Sequence, residues 1–90
     1  MNSPEIKEFI RENSSLFWWI KEDEKENIDI KFLVEQILNY GDEKSVKKLF
    51  ELVGIDLVAG IFYKQIAKRR VNYRPRTINF FKLYFNRNAH

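Results

Sequence analysis

Chemistry in this 90-residue chain must come from side chains that can donate, accept or hold something, and that inventory is short. There is no cysteine, which removes thiol nucleophiles, thiolate metal sites and disulfides. The one histidine is His90, at the end of the chain, a poor place for an ordered proton shuttle. Glu22 and Glu24 form a Glu-x-Glu pair inside a charged run, where nothing fixes their geometry for acid–base work or metal ligation. The three glycines, Gly41, Gly54 and Gly60, are too scattered for a phosphate-cradling loop, and no nucleophile lies beside a base. The expectation is a protein that is not an enzyme, with no catalytic residue, metal, cofactor or small-molecule substrate.

Charge is the first positive signal. Lys64, Lys68, Arg69, Arg70, Arg74, Arg76, Lys82 and Arg87 are the only charged side chains after Asp56, so the last 34 residues carry +8 while the first 56 carry −5. Such a split predicts that the tail faces anions. Lys64, Lys68, Arg69, Arg70, Arg74 and Arg76 cluster at the end of one predicted helix and in the turn after it, where guanidinium forks suit phosphates or carboxylates. Three readings compete: a solvated face with bases answering a helix dipole, a surface for an acidic protein, or a nucleic-acid contact. Tyr63, Tyr73, Phe80, Phe81, Tyr84 and Phe85 interleave these bases, as stacking platforms for single strands do, but the same helical spacing also describes a core.

The second signal is Phe17-Trp18-Trp19. Adjacent helical side chains diverge by about 100°, so two consecutive indoles cannot easily face one core. Trp is enriched at interface hot spots, which makes Phe17, Trp18 and Trp19 candidate partner-binding residues; burial at the edge of the core is the competing reading.

The elements that must carry these residues are helices. Hydrophobic residues at 44% and aromatics at 16% suffice for one core, and 90 residues leave no room for a second, so residues 1–90 read as a single domain. Ser3-Pro4 reads as N-cap and first position of a helix with Ile6, Phe9 and Ile10 inward, stopping near Asn13. Residues 21–27 read as a solvated and mobile loop. Asp29 caps the next helix, with Ile28 and Leu33 as a hydrophobic staple and a stripe of Ile30, Leu33, Val34, Ile37 and Leu38, and Gly41 is expected to end it in the left-handed region. Asp42 starts another helix, with Val46, Leu49, Phe50 and Val53 on one face, that Gly54 ends. Asp56 is expected to cap a further helix, with Val58, Ile61, Phe62 and Ile66 inward, that fades between Arg70 and Asn72. Arg74-Pro75 then opens a last helix holding Ile78, Phe81, Leu83, Tyr84 and Phe85.

Helices 43–53 and 57–70 across Gly54 have a helix-turn-helix outline, although Phe50 fills the position where that motif needs a small side chain, and an ordinary helical hairpin is the competing reading. The predicted fold is all-α, a compact bundle of four to five short helices around Phe9, Phe17, Leu33, Val34, Ile37, Leu38, Leu49, Phe50, Ile61, Phe62, Ile66 and Phe81. The N-terminal residues lack a signal-peptide core and the longest apolar run, Leu16 to Ile20, cannot span a bilayer, so a cytoplasmic protein without membrane contact is expected.

Leu16-Phe17-Trp18, Val34-Glu35-Gln36-Ile37-Leu38-Asn39-Tyr40-Gly41-Asp42, Leu49-Phe50-Glu51-Leu52-Val53-Gly54 and Thr77-Ile78-Asn79-Phe80-Phe81, taken together, resemble a small prokaryotic helical family. Its members share a Leu-Phe-Trp start, a Val-Leu-x-x-Gly-Asp helix end and a Thr-x-x-Phe tail. The resemblance spans residues 16–85; Trp19 stands where the family usually has Asp, and Gln36 where it usually has Arg. Members are often encoded beside a nucleotidyltransferase-type toxin of the abortive-infection class. The resemblance therefore implies a non-enzymatic antitoxin or accessory module whose partner is that toxin. The alternative is a helix-turn-helix-like nucleic-acid-binding domain using the basic C-terminal third, with DNA as partner.

Overall fold

A computed structural model describes residues 3–25, 28–68 and 71–88. Helix α1, Pro4–Glu12, starts where expected: the Ser3 hydroxyl oxygen accepts the Ile6 N–H at 3.3 Å and Pro4 takes the first position. Phe9 and Ile10 are buried, and Asn13 closes the helix by donating its side-chain amide to the Phe9 carbonyl at 2.9 Å. A 3₁₀ turn, Ser14–Phe17, drives Phe17 into the core. Of the predicted solvated loop 21–27, residues 26 and 27 lie outside the described residues, and the part before them departs from that reading. Glu22–Lys25 form a single helical turn, α2, and Lys25 is buried, its ammonium donating to the Ser14 carbonyl at 3.4 Å. A lysine whose head finds a backbone acceptor can bury its methylene stem, which a count of charges does not foresee.

Helix α3, Ile30–Tyr40, is the central element. Asp29 caps it through the Lys31 N–H at 2.8 Å, and Leu33, Val34, Gln36, Ile37, Leu38 and Asn39 are all buried, with Ile28 buried beside them. It packs against α4, Glu43–Val53, and α5, Ile55–Ile66, as well as the 3₁₀ turn, while α5 packs against both α4 and the last helix, α6, Pro75–Asn88. The result is an all-α globule of five helices of nine residues or more, with no strand among the described residues and a radius of gyration of 12.7 Å.

The two turn glycines serve different ends. Gly41 is extended (φ −74°) and not left-handed as predicted; a Cβ there would lie 2.6 Å from the Ile37 carbonyl oxygen, so the chain needs a close approach and not a special dihedral. Gly54 has φ +98°, the positive value that favours glycine, and alone separates α4 from α5. A one-residue corner is shorter than the three- to four-residue turn of a helix-turn-helix. Helix α5 consequently starts at Ile55, which puts Asp56 in its first turn instead of at the cap, and it ends at Ile66, well before Arg70.

The core differs from the predicted set mainly around α5 and α6. Phe62 sits among Tyr73, Phe81 and Phe85 with ring centroids 5.2, 6.1 and 5.3 Å away. Tyr73, Phe81 and Phe85 are therefore core aromatics, while Phe50, Ile61 and Ile66 are only half-buried against the core. Leu83, on the same helix as Phe81 and Phe85, is 67% exposed. Among the described residues, no buried side-chain polar atom lacks a hydrogen-bond partner.

Candidate partner-binding surface

From core to surface the aromatic path is continuous. Phe17 is fully buried and tilts against Phe32 at 6.2 Å, Phe32 meets Trp19 edge-on at 6.2 Å, and Trp19 meets Trp18 edge-on at 5.8 Å. Outward along it, Trp19 is 51% and Trp18 77% exposed. Of the three predicted binding residues, Phe17 is thus the internal anchor, and the two indoles form the accessible face.

That face is held in place by α3. Gln36, buried at the middle of the helix, donates its side-chain amide to the Leu16 carbonyl at 3.1 Å, and Lys25 bonds the Ser14 carbonyl from the other end of the turn. Ser15, Leu16, Trp18, Trp19, Gln36 and Tyr40 line a groove of about 340 Å³ between the turn and α3. Tyr40, the last residue of α3, is 53% exposed. It lies off the inward stripe of its helix, and the spacing of apolar residues gave no reason to single it out.

Arg74 reaches the same place from the α5–α6 connection. Its guanidinium lies over the Tyr40 ring at 5.0 Å, a cation–π contact, and also donates to the Asn39 carbonyl. The buried Asn39 side chain completes the joint by donating to the Asn72 carbonyl at 3.0 Å and accepting the Arg74 N–H at 3.2 Å. Arg74 therefore caps the carbonyl end of α3, where a cation complements the helix dipole, and stands as a charged rim of the groove. Of the other predicted anion-binding residues, Lys64, Lys68 and Arg76 are exposed, whereas Arg69 and Arg70 lie outside the described residues, as does His90.

A larger cleft, about 540 Å³, separates the end of α1 from the start of α4. Its acids and bases alternate, Glu12, Asp42 and Glu51 against Lys44, Lys47 and Lys48, and the Ser45 hydroxyl donates to the Asn13 side-chain carbonyl across it at 2.7 Å. Asp42 is held below its ordinary value by the Ser45 backbone N–H, so this carboxylate is committed to capping α4. Among the described residues no group of His, Cys, Asp or Glu is placed to hold a metal ion, and no helix is long and apolar enough to cross a membrane. No family model, curated protein or solved structure matches this chain.

Proposed function

We propose that this chain is a non-catalytic interaction module that grips a partner protein with Trp18, Trp19 and Tyr40, using Arg74 as the charged rim. The observation that carries the reading is the display of two adjacent, largely exposed indoles from a turn pinned by Gln36 and Lys25. Exposing this much aromatic surface on a small domain has no packing benefit within the chain, and Trp, Tyr and Arg are the side chains that dominate interface energetics. A rigid platform also lowers the entropy lost on docking.

The resemblance through Leu16-Phe17-Trp18 and the α3–Gly41-Asp42 boundary supports a nucleotidyltransferase-type toxin as that partner and the role of antitoxin for this chain. A nucleotidyltransferase must hold metal ions and a triphosphate with clustered charges, so a helical domain can restrain it by covering that cleft or holding an inactive arrangement. Co-expression tests the pairing. The adjacent reading frame is expressed with and without this chain: restored growth and suppressed nucleotidyl transfer are expected, and equal growth and transfer in both cultures contradict it.

The nucleic-acid alternative rests on the acid-free segment after Asp56, since the single-residue corner at Gly54 does not favour a helix-turn-helix. Retention of DNA at low salt that disappears when Lys64, Lys68 and Arg76 are reversed to Glu would favour it, and no retention removes it.

A further inference from the structure

Helix α6 buries Phe81 and Phe85 and, among the described residues, leaves its opposite side exposed. On that side Arg76, Phe80, Leu83 and Arg87 recur at i, i+4, i+7 and i+11, which at 100° per residue places all four within about 60° of arc. All four are exposed, Phe80 by 59%. Phe80 does not pack inward; it stacks on Tyr84 at 6.1 Å, and Tyr84 stacks on Phe50 at 5.5 Å. These rings border a mostly apolar groove of about 350 Å³ that Leu38, Val46 and Phe50 floor and Asp42, Glu43 and Lys47 rim; Arg76, Leu83 and Arg87 do not line it, so apart from Phe80 the stripe lies outside that groove. The surface is thus an apolar pair bracketed by two arginines one turn beyond each end, on a helix that has bases and no acid.

We infer that this stripe of α6 docks an acidic amphipathic helix of a partner protein, with apolar side chains against Phe80 and Leu83 and a carboxylate on each of Arg76 and Arg87. Charge selects this occupant. Two copies of α6 pairing antiparallel about Phe80 and Leu83 would set Arg76 of one against Arg87 of the other, and pairing them parallel would stack each arginine on itself, so a second copy is repelled. A bilayer offers no partner for so narrow a face, because Phe81 and Phe85 are in the core and Ile78 and Tyr84 are half-buried against it. Phosphates would satisfy the arginines but leave Leu83, which cannot stack on a base, without a role. A helix with acids flanking apolar residues satisfies all four positions at once. None of the four lines the Trp18–Trp19 groove, so this contact goes beyond that reading.

The probe is a fluorescent synthetic helix with two leucines three residues apart and glutamates one turn beyond each, compared with a twin carrying lysines in place of the glutamates. Fluorescence anisotropy on the full chain should show binding of the glutamate peptide and little of the lysine twin. Phe80→Ser with Leu83→Ser should weaken binding about tenfold or more, Arg76→Glu with Arg87→Glu should reverse the preference between the peptides, and Trp18→Ala should change neither. The exposure of all four residues lets circular dichroism confirm that the variants stay folded. Equal binding of the two peptides, no binding at millimolar peptide, or a preference that survives the charge reversal overturns the inference. So does self-association in sedimentation velocity that Leu83→Ser abolishes, or stronger Arg76-dependent binding to phosphatidylglycerol vesicles or to oligo-dT than to the peptide.

Discussion

Phe17 and Trp18 are neighbours in the chain, yet one is sealed in the core and the other stands in solvent. Truncating them should separate stability from binding. Phe17→Ala should cost about 3 to 5 kcal/mol of folding stability, whereas Trp18→Ala should change stability by no more than about 0.5 kcal/mol, both read by chemical denaturation. Tyr73 offers a second, independent readout. Burial first, and the Glu35 carboxylate second, push its phenol above the ordinary 10.0, and the hydroxyl donates to the Gln65 side-chain carbonyl. Because the folded value is the higher one, the neutral phenol favours the fold fully below about pH 10, and that contribution is lost as pH rises above 10. Wild type should therefore lose stability more steeply above pH 10 than Tyr73→Phe, which at neutral pH should be weaker by about 1 kcal/mol for the lost hydrogen bond. Matching alkaline slopes would show that the phenol is not held in this way.

Caps and stripes were readable because Ser3, Asp29 and Asp42 act within their own turn, and all three cap as the spacing predicts. What the spacing could not supply was tertiary. The clamp of Asn39 on residues 72 and 74 joins residues more than 30 positions apart. The same holds for Leu83, whose helical phase alone admits either side of α6, so Leu38→Ala should cost about 2 to 5 kcal/mol and Leu83→Ala close to nothing. Glycine positions test the helices directly. Gly60 lies inside α5, exposed, with open space where a Cβ would go, and Gly60→Ala should add about 0.5 to 1 kcal/mol. Gly54→Ala should instead cost about 1 to 3 kcal/mol, because φ +98° strains any side chain whatever the space. Thermal melts of the pair that moved in the same direction would contradict the assigned roles.

The five helices leave two distinct kinds of surface, an aromatic groove beside the 3₁₀ turn and a C-terminal segment with an excess of bases. Both were visible in the residue types, but their meeting at Tyr40 and Arg74 needed the fold, since 34 residues separate the two in the chain. Ionic strength separates the roles of these surfaces. Docking led by indoles should keep most of its affinity as salt is raised, whereas binding through several phosphate contacts should fall steeply and log-linearly. Trp18 and Trp19 are the proposed anchors for a protein partner, and titration calorimetry of the adjacent-frame product against wild type, Trp18→Ala and Trp19→Ala tests that role most directly. Loss of about 2 kcal/mol of binding, roughly thirtyfold in affinity, is predicted for each variant with unchanged circular dichroism. Unchanged affinity in both variants, or no binding by the wild-type chain, would contradict it.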